Sequence, residues 1–153
     1  MIEFAKSISG LLAPVIALVT VSILVMQYRL SKQRWRLDLF DKRYEVYQQT
    51  KKYIRHINAS AGINSEDLEK FKTKSRDSDF LFSESIREYL ELLYDQGLRL
   101  QSNKKRMAEM TEEQDADAWA RECDISKELL DWFSEQPEIA KEKFAKYLKL
   151  EKR

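Results

Sequence analysis

The chain has very little of the side-chain chemistry on which enzymes and metal proteins depend. It contains one cysteine, Cys123, and one histidine, His56. A zinc site needs several such ligands and a cysteine nucleophile needs a basic partner, so neither is predicted. A single cysteine excludes an intramolecular disulfide, which suits a reducing cytoplasm. No phosphate-binding, dinucleotide-binding or nucleophile-elbow motif occurs, so we predict a non-enzyme with no catalytic residues, metal or cofactor.

Glycine and proline are also scarce. Three glycines and two prolines in 153 residues leave almost no turn residues for a sheet, while 35% of the chain is charged. Abundant leucine, glutamate and lysine favour helices. We expect an all-α protein with one N-terminal transmembrane helix that continues into a cytoplasmic antiparallel bundle of about four helices.

The stretch from Ser7 to Tyr28 lacks charge altogether over twenty-two residues. As a helix it would be about 33 Å long, and the hydrocarbon core of a bilayer is about 30 Å thick. A cleaved signal peptide has a shorter apolar run, and a buried core helix is rarely apolar on every face. The sequence therefore predicts an external segment at 1–6, a transmembrane helix at 7–28 and a cytoplasmic bundle at 29–153.

Net positive charge lies after this stretch, whereas Glu3 and Lys6 before it cancel each other. The positive-inside rule then places the N-terminus outside and the carboxyl-terminal part in the cytoplasm, at a bacterial inner membrane. Aromatic and basic side chains are typical of the headgroup region, where they contact the lipid bilayer. The candidate interface residues are Tyr28, Arg29, Lys32, Arg34, Trp35 and Arg36.

Small residues recur along one face of the predicted span. Gly10, Ala13, Ala17 and Thr20 follow one another at spacings of three, four and three. Small side chains let membrane helices approach closely, so this row is a candidate helix–helix contact in a homo-oligomer. No ionisable residue interrupts the span, and an ion relay through one copy is not predicted.

The cytoplasmic part shows helical periodicity with few interruptions. The first helix is expected to run to about Ala61, with Gly62 as its left-handed stop. Asn64 or Ser65 is expected to cap the next helix. Gly97 lies within a later helix and predicts close packing against a neighbour. Pro137 is expected to open the last helix after a break at 134–137.

Three large apolar residues, Phe80, Leu81 and Phe82, stand together just before Ser83, a predicted N-cap. Such a group usually fixes a loop to the core. The alternative is that the three side chains form an exposed docking patch for another protein.

The near-zero net charge of +1 conceals an uneven distribution. Residues 29–56 carry nine Lys/Arg against three Asp/Glu, and residues 111–137 carry two against nine. A basic and an acidic helix of this kind could pack as complementary neighbours within the bundle. No nucleic-acid-binding motif is present, and we predict no nucleic-acid partner.

The runs LDLFDKRYEVY (37–47), DFLFSESIREYL (79–90) and FAKYLKL (144–150) together resemble a group of uncharacterised small bacterial single-pass inner-membrane proteins. The resemblance implies one amino-terminal span followed by a juxtamembrane helix and a small helical domain. It implies no catalytic or binding residue.

Two functions are compatible with these features. The first is a membrane-tethered interaction or assembly module that recruits an unknown cytoplasmic protein. The alternative is an oligomerising membrane effector, of a toxin or defence type, that perturbs the bilayer when its spans cluster.

Overall fold

The computed structural model describes residues 2–76, 78–110 and 116–149, with the backbone alone for 2–15. Every regular element in these residues is helical, which confirms the predicted all-α class and the helical bundle. The elements are α1 (Ile2–Ser60), α2 (Ser65–Ser75), the single turn α3 (Ser78–Leu81), α4 (Glu84–Glu109) and α5 (Ala116–Ala145).

The chain divides into two units, Met1–Leu39 and Phe40–Arg153. The division falls within α1, further along the chain than the predicted boundary at residue 28. The second unit, called the bundle below, contains the rest of α1 and all of the other helices. The domain bounds 1–6, 7–28 and 29–153 stay predictions.

Helix α1 covers the whole of the first unit from Ile2 onward. Over the described residues, no helix combines the length and apolar character needed to cross a membrane. The transmembrane helix predicted at 7–28 is therefore not shown by the structure. Its first part, 7–15, lies outside the residues whose side chains are described.

One apolar core holds the bundle together. On α1 the buried face is Val46, Thr50, Tyr53 and Ile57, at helical spacings of four, three and four. Helix α4 contributes a face of the same kind and packs against α2, α3 and α5. The largest fully buried apolar side chains are Phe133, Phe144, Ile54, Ile57, Ile86, Leu90, Leu93 and Leu100.

The turn between α1 and α2 confirms one prediction and corrects another. Asn64 is the N-cap of α2, and its side-chain oxygen accepts a 2.8 Å hydrogen bond from the amide of Asp67. The prediction that Gly62 is the left-handed stop of α1 is wrong, because Ala61 takes the positive φ, at 50°. The hydroxyl of Ser60 donates to the carbonyls of His56 and Gly62. These bonds connect the last turn of α1 to the residue that follows Ala61.

The predicted break at 134–137 is also wrong, because α5 continues through Pro137 to Ala145. A proline inside a helix has no N–H to donate, and the carbonyl four residues earlier loses its partner. That carbonyl belongs to Phe133, and it accepts a hydrogen bond from the side-chain amide of Asn58 instead. Pro137 itself lies on the exposed side of α5.

The close approach predicted at Gly97 is confirmed. Gly97 is buried in α4, and a Cβ atom there would lie 1.9 Å from the hydroxyl oxygen of Tyr53. That hydroxyl donates to the carbonyl of Leu93 at 3.3 Å, and the Tyr53 ring stacks on Phe71 at 3.9 Å. Only a glycine leaves room for this tyrosine between α1 and α4.

Candidate interaction surfaces

The described part of the first unit exposes large apolar side chains on all sides. From residue 16 to residue 26 they range from Val25, 47% exposed, to Met26, 74% exposed. The others in this stretch are Ile16, Leu18, Val19, Val21, Ile23 and Leu24. A surface of this kind marks a contact with lipid or with another protein.

The polar groups inside this stretch are satisfied within the helix. The hydroxyls of Thr20 and Ser22 donate to the carbonyls of Ile16 and Leu18, each at 2.8 Å. Ala17 and Thr20 of the small-residue row are exposed, while Gly10 and Ala13 lie outside the residues with described side chains.

The candidate headgroup residues follow directly. Tyr28 is 70% exposed and Trp35 is 66% exposed. Arg29, Lys32, Arg34 and Arg36 are also exposed, and none forms an ion pair with a described residue. All six candidate headgroup residues are therefore exposed in the structure.

The three residues of the candidate docking patch occupy different environments. Phe80 is 93% exposed, whereas Leu81 and Phe82 pack on the core. The Phe82 ring packs edge-to-face against the rings of Phe144 and Tyr147, with 5.2 Å between ring centroids in both pairs. Leu81 and Phe82 thus fix the loop to the core, and Phe80 alone of the three is an exposed side chain.

Arg43 of α1 fixes this loop. Its Nε donates to the carbonyl of Leu81 at 2.9 Å, and its guanidinium lies 5.9 Å from the Phe82 ring and 5.5 Å from the Tyr147 ring. The hydroxyls of Ser83 and Tyr147 share a hydrogen bond. The three residues that follow Phe80 are thus held by Arg43 and Tyr147, while the Phe80 side chain faces outward.

A hollow of about 290 Å³ lies beside Phe80. Its wall includes Val46 and Leu81, and its rim carries Lys42 and the ion pair between Lys74 and Glu45, 3.6 Å apart. Phenylalanine is enriched at protein–protein interfaces, so this exposed ring beside a partly apolar hollow is a candidate contact for another protein. The sequence identified Phe80 but gave no sign of the hollow, since α1, α2 and α3 build it together.

A second groove, of about 400 Å³, runs between α1 and α2 and is called the α1–α2 groove below. The stacked rings of Tyr53 and Phe71 form its base, and basic side chains stand along it: Lys52, Arg55, His56 and Lys70. This groove was not predictable from the sequence. The excess of basic residues at 29–56 indicates a positively charged surface, but it does not show which of these cations lie next to α2.

Two of the four basic side chains in the α1–α2 groove lie against acidic side chains. His56 Nε2 lies 3.2 Å from a carboxylate oxygen of Asp67, and Lys70 lies 2.6 Å from Glu66. The hydrogen bond with Lys70 lowers the pKa of Glu66, and the same bond raises the pKa of Lys70.

A polar network joins α4 to α5. Asn103, fully buried, donates to a carboxylate oxygen of Glu122 at 2.6 Å, and Arg106 makes two hydrogen bonds to the same carboxylate. The hydrogen bond from Arg106 is the main cause of the lowered pKa of Glu122. This network connects α4 to α5, so the role of Arg106 is structural.

No group of three or more histidine, cysteine, aspartate or glutamate side chains suited to a metal ion occurs in the described residues. His56 lies on α1 and the half-buried Cys123 on α5. Comparisons with protein-family models, curated proteins and solved structures give no match to this chain.

Proposed function

We propose that this protein is a non-enzymatic, membrane-tethered interaction module, which uses α1 as its anchor and the bundle to hold a cytoplasmic partner at the bacterial inner membrane. The observation that carries the proposal is the exposed apolar surface of α1 from residue 16 to residue 26. In the sequence this surface belongs to the uncharged stretch 7–28, which is long enough for a bilayer core of about 30 Å.

The hydrogen bonding of α1 supports lipid as the surroundings of this stretch. In hydrocarbon every polar group needs an internal partner. The two hydroxyls of residues 16–26, on Thr20 and Ser22, both bond to carbonyls of their own helix. The exposed basic side chains at 29–36 and the ring of Trp35 then meet the headgroups, with the bundle on the cytoplasmic side.

Membrane extraction of the full chain tests the anchor. The wild-type protein is expected to stay in the membrane fraction through alkaline carbonate and urea washes. Leu18→Arg/Val21→Arg is expected to release it, because each arginine near the middle of a span costs about 2.5–3.5 kcal/mol on insertion. Leu18→Ile/Val21→Ile is the matched control and stays bound. Release of the wild-type protein by either wash would exclude the anchor.

Labelling with a membrane-impermeant thiol reagent tests the orientation. In a Cys123→Ser background, Glu3→Cys is expected to react from the outside of intact cells and Glu142→Cys only after lysis. The reverse pattern would place the bundle outside.

The partner is expected to bind around Phe80. Cross-linking from membranes should yield a partner with the wild-type chain, and Phe80→Glu should abolish it. Leu92→Glu on α4, where Leu92 is 44% exposed, is the matched control and should leave capture unchanged. Equal capture with Phe80→Glu and the wild-type chain would contradict the role of Phe80.

The effector hypothesis rests on a narrower observation, the exposure of Ala17 and Thr20 on one helix face. Conduction through a cluster of spans needs polar groups that face water, whereas the Thr20 and Ser22 hydroxyls bond within their own helix. Overexpression with a membrane-potential dye separates the two functions. Depolarisation that Ala17→Leu abolishes would favour the effector.

A further inference from the structure

The opposite charges of α1 and α5 do not neutralise each other inside the bundle. In the described residues, the ion pairs between different helices join His56 to Asp67, Lys74 to Glu45 and Arg106 to Glu122. None of them joins α1 to α5. Helices α1 and α5 do pack as neighbours, as the bond between Asn58 and Phe133 shows, but in the described residues their opposite charges are not paired with each other.

Four acids of α5 that have no ion pair in the described residues form a single line. Asp124, Glu128, Asp131 and Glu135 follow at spacings of four, three and four, and all are exposed. Residues so spaced share one helix face. None makes an ion pair with a described residue. We call this set the acidic stripe.

Two cations of α1 without an ion pair in the described residues stand in the α1–α2 groove. Lys52 and Arg55 line it, are exposed, and make no ion pair in the part of the chain that the structure describes. His56 and Lys70 beside them are already paired. The groove thus offers a concave surface, aromatic at its base, with two free positive charges.

We propose that the α1–α2 groove binds the acidic stripe of a second copy of this chain. The two surfaces are complementary in charge, and each lacks a partner in its own bundle. Each copy offers one groove and one stripe, so two copies can pair reciprocally through both surfaces or copies can add in sequence. The inference goes beyond the proposed function and uses neither the apolar stretch of α1 nor Phe80.

Charge reversal in full-length chains tests the contact, in a detergent that keeps them soluble. One variant, Lys52→Glu/Arg55→Glu, makes the groove negative. The other, Asp124→Lys/Glu128→Lys/Asp131→Lys/Glu135→Lys, makes the stripe positive. All six positions are exposed, so both variants are expected to fold, and unfolding followed by circular dichroism verifies this.

Capture between differently tagged copies is the readout. Wild-type copies are expected to capture one another at low salt and far less at about 0.5 M salt, where surface charges are strongly screened. Each variant alone is expected to lose self-capture by about tenfold or more, since like charges then face each other. Mixing the two variants is expected to restore capture, because the negative groove of one meets the positive stripe of the other.

The mixture decides between this contact and any other. Self-capture that persists in both variants, or a mixture that stays unassociated, overturns the proposal. Contacts between the membrane segments would survive both reversals and would therefore be recognised as a different interface. Carbodiimide coupling of isotopically distinct copies should also link Lys52 of one copy to Asp131 of the other.

Discussion

The side-chain amide of Asn58 donates a 3.1 Å hydrogen bond to the backbone carbonyl of Phe133, the carbonyl that Pro137 leaves without a helical partner. A residue on α1 thus compensates for a proline on α5. Phe133 is fully buried, and a carbonyl there without a partner would be costly. The bond explains why α5 runs without a break where its own sequence indicates one.

Asn58→Ala is expected to lower the free energy of unfolding by about 1–3 kcal/mol, because it leaves the Phe133 carbonyl unsatisfied. In a Pro137→Ala background the same change should cost much less, since the backbone of the introduced alanine then supplies an N–H to that carbonyl. Urea unfolding of the four variants, followed by tryptophan fluorescence, measures the coupling. An equal cost in both backgrounds would show that the Asn58 bond does not substitute for the missing helical bond.

Much of the fold follows from local signals. The all-α class, the cap at Asn64 and the close packing at Gly97 were each predictable, because they depend on composition, on one side chain or on helical spacing. Pro137 shows the limit of such signals. Its local effect is to end a helix, and the contact that overrides it comes from a residue far away in the sequence.

The surfaces were less predictable for a related reason. The sequence places Phe80, Leu81 and Phe82 together, but the bond between Arg43 and the Leu81 carbonyl decides which of the three faces outward. Similarly, the charge counts show that α1 is basic and α5 acidic. Which helix faces carry those charges depends on how the helices pack, and a count of charges does not contain that information.

Gly97→Ala is expected to destabilise the bundle by about 1–3 kcal/mol, because the new methyl group overlaps the Tyr53 hydroxyl. This loss exceeds the gain in helix propensity of about 1 kcal/mol. Tyr53→Phe should relieve part of the overlap, so the double variant should be more stable than the sum of the single effects predicts. Thermal unfolding measures all three. Gly62→Ala is the control, since the nearest atom to a Cβ there is 4.0 Å away.

Phe80 and Phe82 are expected to respond differently to truncation. Phe80→Ala should change the free energy of unfolding by less than about 0.5 kcal/mol, since the side chain is 93% exposed. Phe82→Ala should cost about 2–4 kcal/mol, because it removes the contacts with Phe144 and Tyr147. Chemical denaturation of the two variants side by side is the measurement. A similar loss in both would mean that Phe80 also packs on the core.

Two buried tyrosines are expected to make the bundle sensitive to alkali. Burial raises the pKa of Tyr53 and of Tyr89 above the ordinary value of about 10. The unfolded chain then releases these protons at a lower pH than the folded chain does. Their contribution to stability is therefore complete below about pH 10 and is lost progressively above it. Urea unfolding at several pH values between about 8 and 11 should show a free energy of unfolding that is constant up to about pH 10 and falls above it.

Substitution by phenylalanine tests whether the two tyrosine hydroxyls cause this loss of stability above about pH 10. In Tyr53→Phe/Tyr89→Phe the decline above about pH 10 should be shallower, because neither ring can ionise in the unfolded chain. Tyr44→Phe is the matched control: Tyr44 is 45% exposed, and its removal should leave the slope as it is in the wild-type protein. If the double variant kept the wild-type slope, the alkaline loss would have to arise from other groups, such as the lysines paired with Glu66 and Glu138.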